Sequence, residues 1–185
     1  MKKLLIALFF IYALFFSTAQ AQTEQGNYLL GGSVSASAYT PTHDHTYYLV
    51  YIAPNIGYFI ANDIAIGARV PLSYNTSYQN SSNITSVFSF GITPSVRYYF
   101  AKSEKNSLFT SISFGINSIY NSNSKNFSSS LLGDANVGFV YFLNRNIGLE
   151  SSIEYYFYKP LILNSYMSSS IRLALGFQVY FGKDK

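Results

Sequence analysis

The chain has 185 residues, 49% of them hydrophobic and 11% charged, with 18 Tyr, 16 Phe, no Trp and no Cys. The missing cysteine excludes disulfide staples and thiol chemistry. The formal charge of +4 rests partly on Lys2 and Lys3; without them 10 basic residues face 8 acidic ones, and no basic cluster remains to suggest nucleic acid.

Lys2 and Lys3 precede an unbroken apolar run, Leu4 to Phe16, followed by Ser17, Thr18 and Ala19-Gln20-Ala21. Basic, apolar and then small residues in that order predict a secretory signal peptide over 1–21, cleaved before Gln22. A retained anchor is the alternative, but the run is shorter than the ~20 residues a spanning helix needs. After Ala21 no uninterrupted apolar run approaches that length. If the exported chain is in a membrane, it must be there as a closed barrel.

Residues 22–185 suit one domain, with no convincing helix. Eight alternating segments are predicted as strands: 27–39, 46–60, 63–74, 86–100, 107–120, 130–143, 147–158 and 168–181. The last is the clearest. Ile171, Leu173, Leu175, Phe177, Val179 and Phe181 share one face, and Ser170, Arg172, Ala174, Gly176, Gln178 and Tyr180 the other.

The connections alternate in length. Ala61-Asn62, Ala101 to Asn106 and Asn144-Arg145-Asn146 are short; Thr40 to His45, Asn75 to Thr85, Asn121 to Ser129 and Lys159 to Met167 are longer and polar. That alternation is the pattern of outer-membrane barrels, with short turns periplasmic, and an even strand count puts both termini on that side. There is also a repeat: Pro54-Asn-Ile-Gly-Tyr-Phe-Ile-Ala-Asn62 recurs as Pro94-Ser-Val-Arg-Tyr-Tyr-Phe-Ala-Lys102. Val137 to Asn144 is a looser copy, and Leu175 to Gly182 a further ending. A hairpin repeat is compatible with a meander closed into a barrel. Generic aromatic strand composition is the competing explanation.

Parity sorts the charges. Arg69, Arg97, Asp134, Glu150, Glu154 and Arg172 all fall on the faces opposite the apolar ones, three basic against three acidic. A soluble lipocalin-like barrel would invert this, with charges outside and an apolar cavity within. A charge facing lipid at the midplane costs ~2–4 kcal/mol, so the inversion predicts lipid outside. Tyr58, Tyr98, Tyr141 and Phe181 fall near the short-turn ends of the apolar faces. Tyr48, Tyr74, Phe88, Tyr155 and Phe157 fall near the long-loop ends. They are expected to form two aromatic belts at headgroup level; cross-strand pairs in a sandwich core are the alternative. Pro54 and Pro94 donate no ladder hydrogen bond, which predicts a bulge or local bend at each.

The six inward charges predict a lumen network that fills and pins a narrow barrel, with Glu150 or Glu154 pairing with Arg69, Arg97 or Arg172. A gated pore is the functional alternative. His43-Asp44-His45 could bind a metal or supply a base, but no third ligand or nucleophile is fixed by spacing, so a solvated loop tip is expected. No metal and no cofactor is assigned.

Taken together, the leader, the Pro-x-[Ile/Val]-x-Tyr copies at Pro54 and Pro94, Ile64-Ala-Ile-Gly67 and the aromatic ending Phe177-Gln-Val-Tyr-Phe181 resemble a known family. It is the bacterial outer-membrane β-barrel domain family, the small OmpX/OmpA-like class of eight-stranded barrels, and the likeness covers nearly the whole mature chain. That family tends to finish on the aromatic, whereas Gly182-Lys183-Asp184-Lys185 follow here. The resemblance implies an all-β, antiparallel up-and-down transmembrane barrel in the outer membrane, with no catalytic residues to carry over. The expected partners are outer-membrane lipid, periplasmic chaperones and the barrel-assembly machinery, with no nucleic acid, and the chain is expected to be a monomer. The expected role is structural or surface-interacting through polar loops. The alternatives are a narrow porin-like path for small solutes or ions and, remotely, an outer-leaflet lipid-modifying enzyme using His43 or His45.

Overall fold

Residues 22–42, 45–79, 83–161 and 166–182 are described in the computed structural model. The predicted signal peptide lies outside the described residues, as do His43 and Asp44 and the side chain of His45. Nine strands follow one another: β1 (Tyr28–Thr42), β2 (His45–Ala61), β3 (Ile64–Arg69), β4 (Leu72–Gln79), β5 (Asn83–Phe100), β6 (Asn106–Asn121), β7 (Asn126–Phe142), β8 (Ile147–Pro160) and β9 (Ser168–Phe181). All pairings are antiparallel and join strands adjacent along the chain, except that β3 and β4 each pair with β2 and β5 rather than with one another; β1 also pairs with β9, so the sheet closes on itself.

Nine strands make eight staves. β3 and β4 both lie between β2 and β5, so the predicted third strand, 63–74, is a single stave broken at Val70-Pro71. Pro71 has no N–H to give to β5, although its carbonyl accepts from Gly91 N at 3.0 Å. Across the stave, Val70 N donates to the Pro54 carbonyl at 2.8 Å, and Pro54 can return nothing. The register is unchanged on either side, with Asn55 opposite Arg69 and Ile52 opposite Leu72.

The expected bulges at Pro54 and Pro94 are therefore corrected to gaps. Pro54 stays in register with Gly32 on β1 and Pro94 with Ala68 on β3. On its other side Pro94 interrupts β5–β6 between Ile92↔Ile116 and Ser95↔Ser113, again without an extra residue. A residue's N–H and C=O point to the same neighbour, so one proline breaks one ladder and spares the other.

The staves are long. β5 has 18 residues and β2 and β7 17 each, where ~9–11 tilted residues cross the hydrocarbon. The surplus projects at the long-loop end. Within the band the outward face is apolar: Ile56, Ile92, Ile112, Ile116, Val137 and Ile153 are each more than half exposed. Among the described residues one strand charge points outward, Lys159, which the predicted eighth strand stopped short of. It sits one residue from the long-loop end of β8.

The closure between β1 and β9 is partial. That ladder runs seven pairs, Tyr28↔Phe181 to Val34↔Leu175, against twelve for β8–β9. Beyond Val34 and Leu175, residues 35–39 pair only with β2 and residues 168–174 only with β8. Ile171 and Leu173, beside this parted seam, are 70% and 75% exposed.

At the short-turn end, Asp63 takes the left-handed backbone (φ 69°) that the tight β2–β3 hairpin requires. Its carboxylate accepts from Thr23 Oγ1 at 2.5 Å and Lys102 Nζ at 2.6 Å. Asp63 N donates to the Thr23 carbonyl and Gly26 N to that of Phe59, so residues 22–27 are laid across the barrel's short-turn rim.

Candidate functional site

The lumen is built in three layers. The lowest, at the short-turn end, is an aromatic plug of Phe59, Tyr99, Phe109, Phe142 and Tyr180, with Leu29, Ala65 and Val140, each at most 4% exposed. Ring centroids lie 5.7 Å apart for Phe59 and Tyr99, 6.3 Å for Tyr99 and Tyr180, and 5.3 Å for Phe142 and Tyr180. These are favourable aromatic spacings.

Directly above, the plug's phenols join an ion pair. Arg97 Nη1 donates to Glu150 Oε1 at 2.8 Å and to the Tyr99 hydroxyl at 3.2 Å. The Tyr180 hydroxyl donates to the same Glu150 oxygen at 3.4 Å. The 3.1 Å contact between the two hydroxyls must then run from Tyr99 to Tyr180, which closes a ring of four groups. Gln178 Nε2 serves the other Glu150 oxygen at 3.2 Å, and the guanidinium lies 4.2 Å from the Phe109 ring centroid. A buried charge is tolerated when its remaining hydrogen-bonding capacity is met in this way.

The middle layer holds the other four charges. Arg69 spans two carboxylates, Nη1 to Asp134 at 2.5 Å and Nη2 to Glu154 at 3.0 Å. Arg172 Nε reaches the second Glu154 oxygen at 2.7 Å. Ser113 donates to Asp134, and Ser33 accepts from Arg69 Nη2 at 3.3 Å. The charges cancel, and Glu154 is 1% exposed.

The upper layer, toward the long loops, is not filled. A chamber of about 200 Å³ remains there, with Leu49, Val87, Ile119 and Leu132 on its walls, Tyr51 and Tyr156 beside them, and Arg172 and Asp134 also lining it. An eight-stranded barrel is narrow enough for side chains to fill or for one small molecule to occupy. Both occur in this lumen, at opposite ends.

All six sequence-derived charges thus meet inside. Of the belt residues, Tyr58, Tyr98, Tyr141 and Phe181 are exposed on the outer face at the short-turn end, where Tyr28 joins them 5.0 Å from Tyr58 and 5.6 Å from Phe181. Tyr48, Tyr74, Phe88 and Tyr155 are exposed toward the other end. Phe157 differs: it is half-buried, folded over Gly133, where no Cβ keeps it off, with its ring 6.4 Å from that of Phe114. Sequence reasoning missed the plug, although a signal existed. Each repeat ends on an aromatic pair or its equivalent: Tyr58-Phe59, Tyr98-Tyr99, Tyr141-Phe142 and Tyr180-Phe181. Strand alternation sends one member to the belt and the other inward. The cluster His43-Asp44-His45 lies outside the described residues apart from the backbone of His45. Among the described residues no group of three His, Asp or Glu is placed to hold a metal ion.

A closed antiparallel sheet with an apolar exterior, aromatic rims and a compensated ionic interior defines an eight-stranded transmembrane β-barrel of the outer-membrane type. Solved structures share the fold. Neisserial surface protein A superposes with a TM-score of 0.57 at 20% identity, covering 85% of this chain and 98% of that one. The outer membrane protein OprG from Pseudomonas aeruginosa gives 0.52 at 10% identity, covering 86% and 98%. The N-terminal β-barrel domain of Pseudomonas aeruginosa OprF gives 0.50 at 16% identity, covering 85% and 98%. No family model matches the chain, and no curated protein aligns with it significantly.

Proposed function

We propose that the protein is an integral outer-membrane β-barrel with a non-conducting lumen, which acts as a structural or surface-interaction protein through its long-loop end. The observation that carries this reading is the plug. Five aromatic side chains at most 4% exposed lie across the short-turn end, tied to the Arg97–Glu150 pair, so ions meet a packed core rather than a water column. The six lumen charges are assigned a structural role on the same ground: each is paired, and the sum is zero.

Export by the 1–21 leader, delivery by periplasmic chaperones and insertion by the barrel-assembly machinery as a monomer complete the proposal. The short turns, the start of β1 and the end of β9 face the periplasm in this orientation, and the polar staves and loops face outward. No reaction is part of it.

Planar-bilayer recording tests it. The wild-type barrel is expected to give no stable conductance steps, whereas Phe59→Ala combined with Tyr99→Ala and Tyr180→Ala removes the plug and is expected to give them. Stable wild-type steps abolished by Arg97→Ala or Glu154→Ala would instead establish the pore.

A further inference from the structure

We propose that the chamber in the long-loop half of the lumen is a binding site for a small carboxylate on a single-ring or short-chain apolar body. Its volume, about 200 Å³, suits such a molecule, since an apolar cavity of ~150 Å³ already takes up benzene. A separate void nearer the plug, beside Arg69 and Arg97, holds only about 20 Å³. Leu49, Val87, Ile119 and Leu132 give the body an apolar surface. Water trapped against those four side chains gains nothing from them, and an apolar ring or chain does.

The polar contacts specify the head group. Arg172 spends Nε on Glu154, and no other hydrogen bond leaves its guanidinium among the described residues. Its Cζ lies 3.4 Å from the Tyr51 ring centroid and 4.7 Å from that of Tyr156, so aromatic faces shield the plane and the edge stays available. A planar edge with two parallel N–H groups is what a carboxylate engages bidentately. Arg172 is also the least compensated cation of its layer, because Glu154 is shared with Arg69. Asp134 lines the chamber too, but Arg69, Ser113 and Asn136 already occupy its oxygens.

A second observation is independent of the arginine. Asn117, 7% exposed, is one of the residues lining the same chamber and carries a side-chain amide. A side-chain amide both donates and accepts hydrogen bonds, so a hydroxyl on the ligand's body is the matching group. The site rests on the outward orientation of the long loops proposed above, and not on the lumen being sealed.

The test uses the full mature barrel folded in detergent micelles, with 4-hydroxybenzoate as probe and methyl NMR as readout. Saturable shifts are expected at Leu49, Val87, Ile119 and Leu132, with a dissociation constant of about 1 mM or tighter. None is expected at the lipid-facing Ile56 and Ile92, which report mere partitioning into detergent. 4-Hydroxybenzyl alcohol, which lacks the carboxylate, is expected to bind about tenfold or more weakly, and Arg172→Gln removes that preference. Shifts that never saturate, or equal affinity for acid and alcohol, overturn the proposal. If Arg172→Gln does not fold, judged by heat-modifiable gel migration, Leu132→Phe fills the chamber without touching a charge. It must weaken binding about tenfold or more; unchanged affinity overturns the site.

Discussion

The two ends of this barrel are made from the same staves and solve opposite problems. At the short-turn end every ladder is closed, the interior is aromatic and packed, and residues 22–27 are fastened over the rim through Asp63. At the long-loop end β1 and β9 have parted, the interior keeps an unfilled chamber, and the staves run past the membrane. The difference teaches where stability and function separate in a small barrel. Sealing and stability are concentrated below, and the freedom to accommodate something lies above.

Four substitution tests sharpen or break that contrast. The largest effect belongs to Arg97→Ala, which leaves Glu150 buried with only neutral donors and is expected to cost about 3–5 kcal/mol in urea unfolding from detergent. Arg172→Ala is expected to cost clearly less, because Glu154 keeps Arg69 at 3.0 Å. Equal losses would mean the two layers are not energetically distinct. Next, Phe59→Ala opens a void in a packed plug and is expected to cost about 3–5 kcal/mol. Leu132→Ala enlarges a chamber that already exists, and its cost should fall near the lower limit for such truncations, about 2 kcal/mol. A larger loss at Leu132 than at Phe59 would reverse the assignment of packed and open halves.

A test of the exterior comes third. Ile92→Arg places a charge against hydrocarbon and is expected to cost ~2–4 kcal/mol, whereas Ile84→Arg, farther along the same face toward the long loops, should be tolerated. The smallest effect is at the seam. Cysteines replacing Leu30 and Val179, which are opposed in the β1–β9 ladder, should crosslink readily. Cysteines replacing Ala36 and Leu173, the same register carried past the last pair, should do so poorly. Comparable crosslinking would show that the seam closes in the membrane.

Much of this was legible in the sequence, for a physical reason. Strand parity is a rule of period two, so Arg69, Arg97, Asp134, Glu150, Glu154 and Arg172 could be placed on one side without knowing the register. Which arginine meets which carboxylate could not, because Arg69 reaches Asp134 and Glu154 from distant staves through the curvature of the closed sheet. The prolines show the same limit: Pro54 and Pro94 were expected to distort their own strands. The clean break fell at Pro71, where an inward proline faces a stave that carries Pro54. The plug was written into the sequence as inward aromatics and passed over, because the outward belt explained the same dipeptides. The chamber had no sequence signature, since a void is what neighbouring side chains fail to fill.

The central claim is the inside–outside assignment, and nuclear Overhauser contacts between lipid acyl chains and protein methyls in nanodiscs test it directly. Ile56, Ile92, Ile112 and Ile153 are expected to show acyl contacts, and Val140 and Leu132 none. Acyl contacts at Val140, or a mature chain that stays folded and soluble without any amphiphile, would contradict the account.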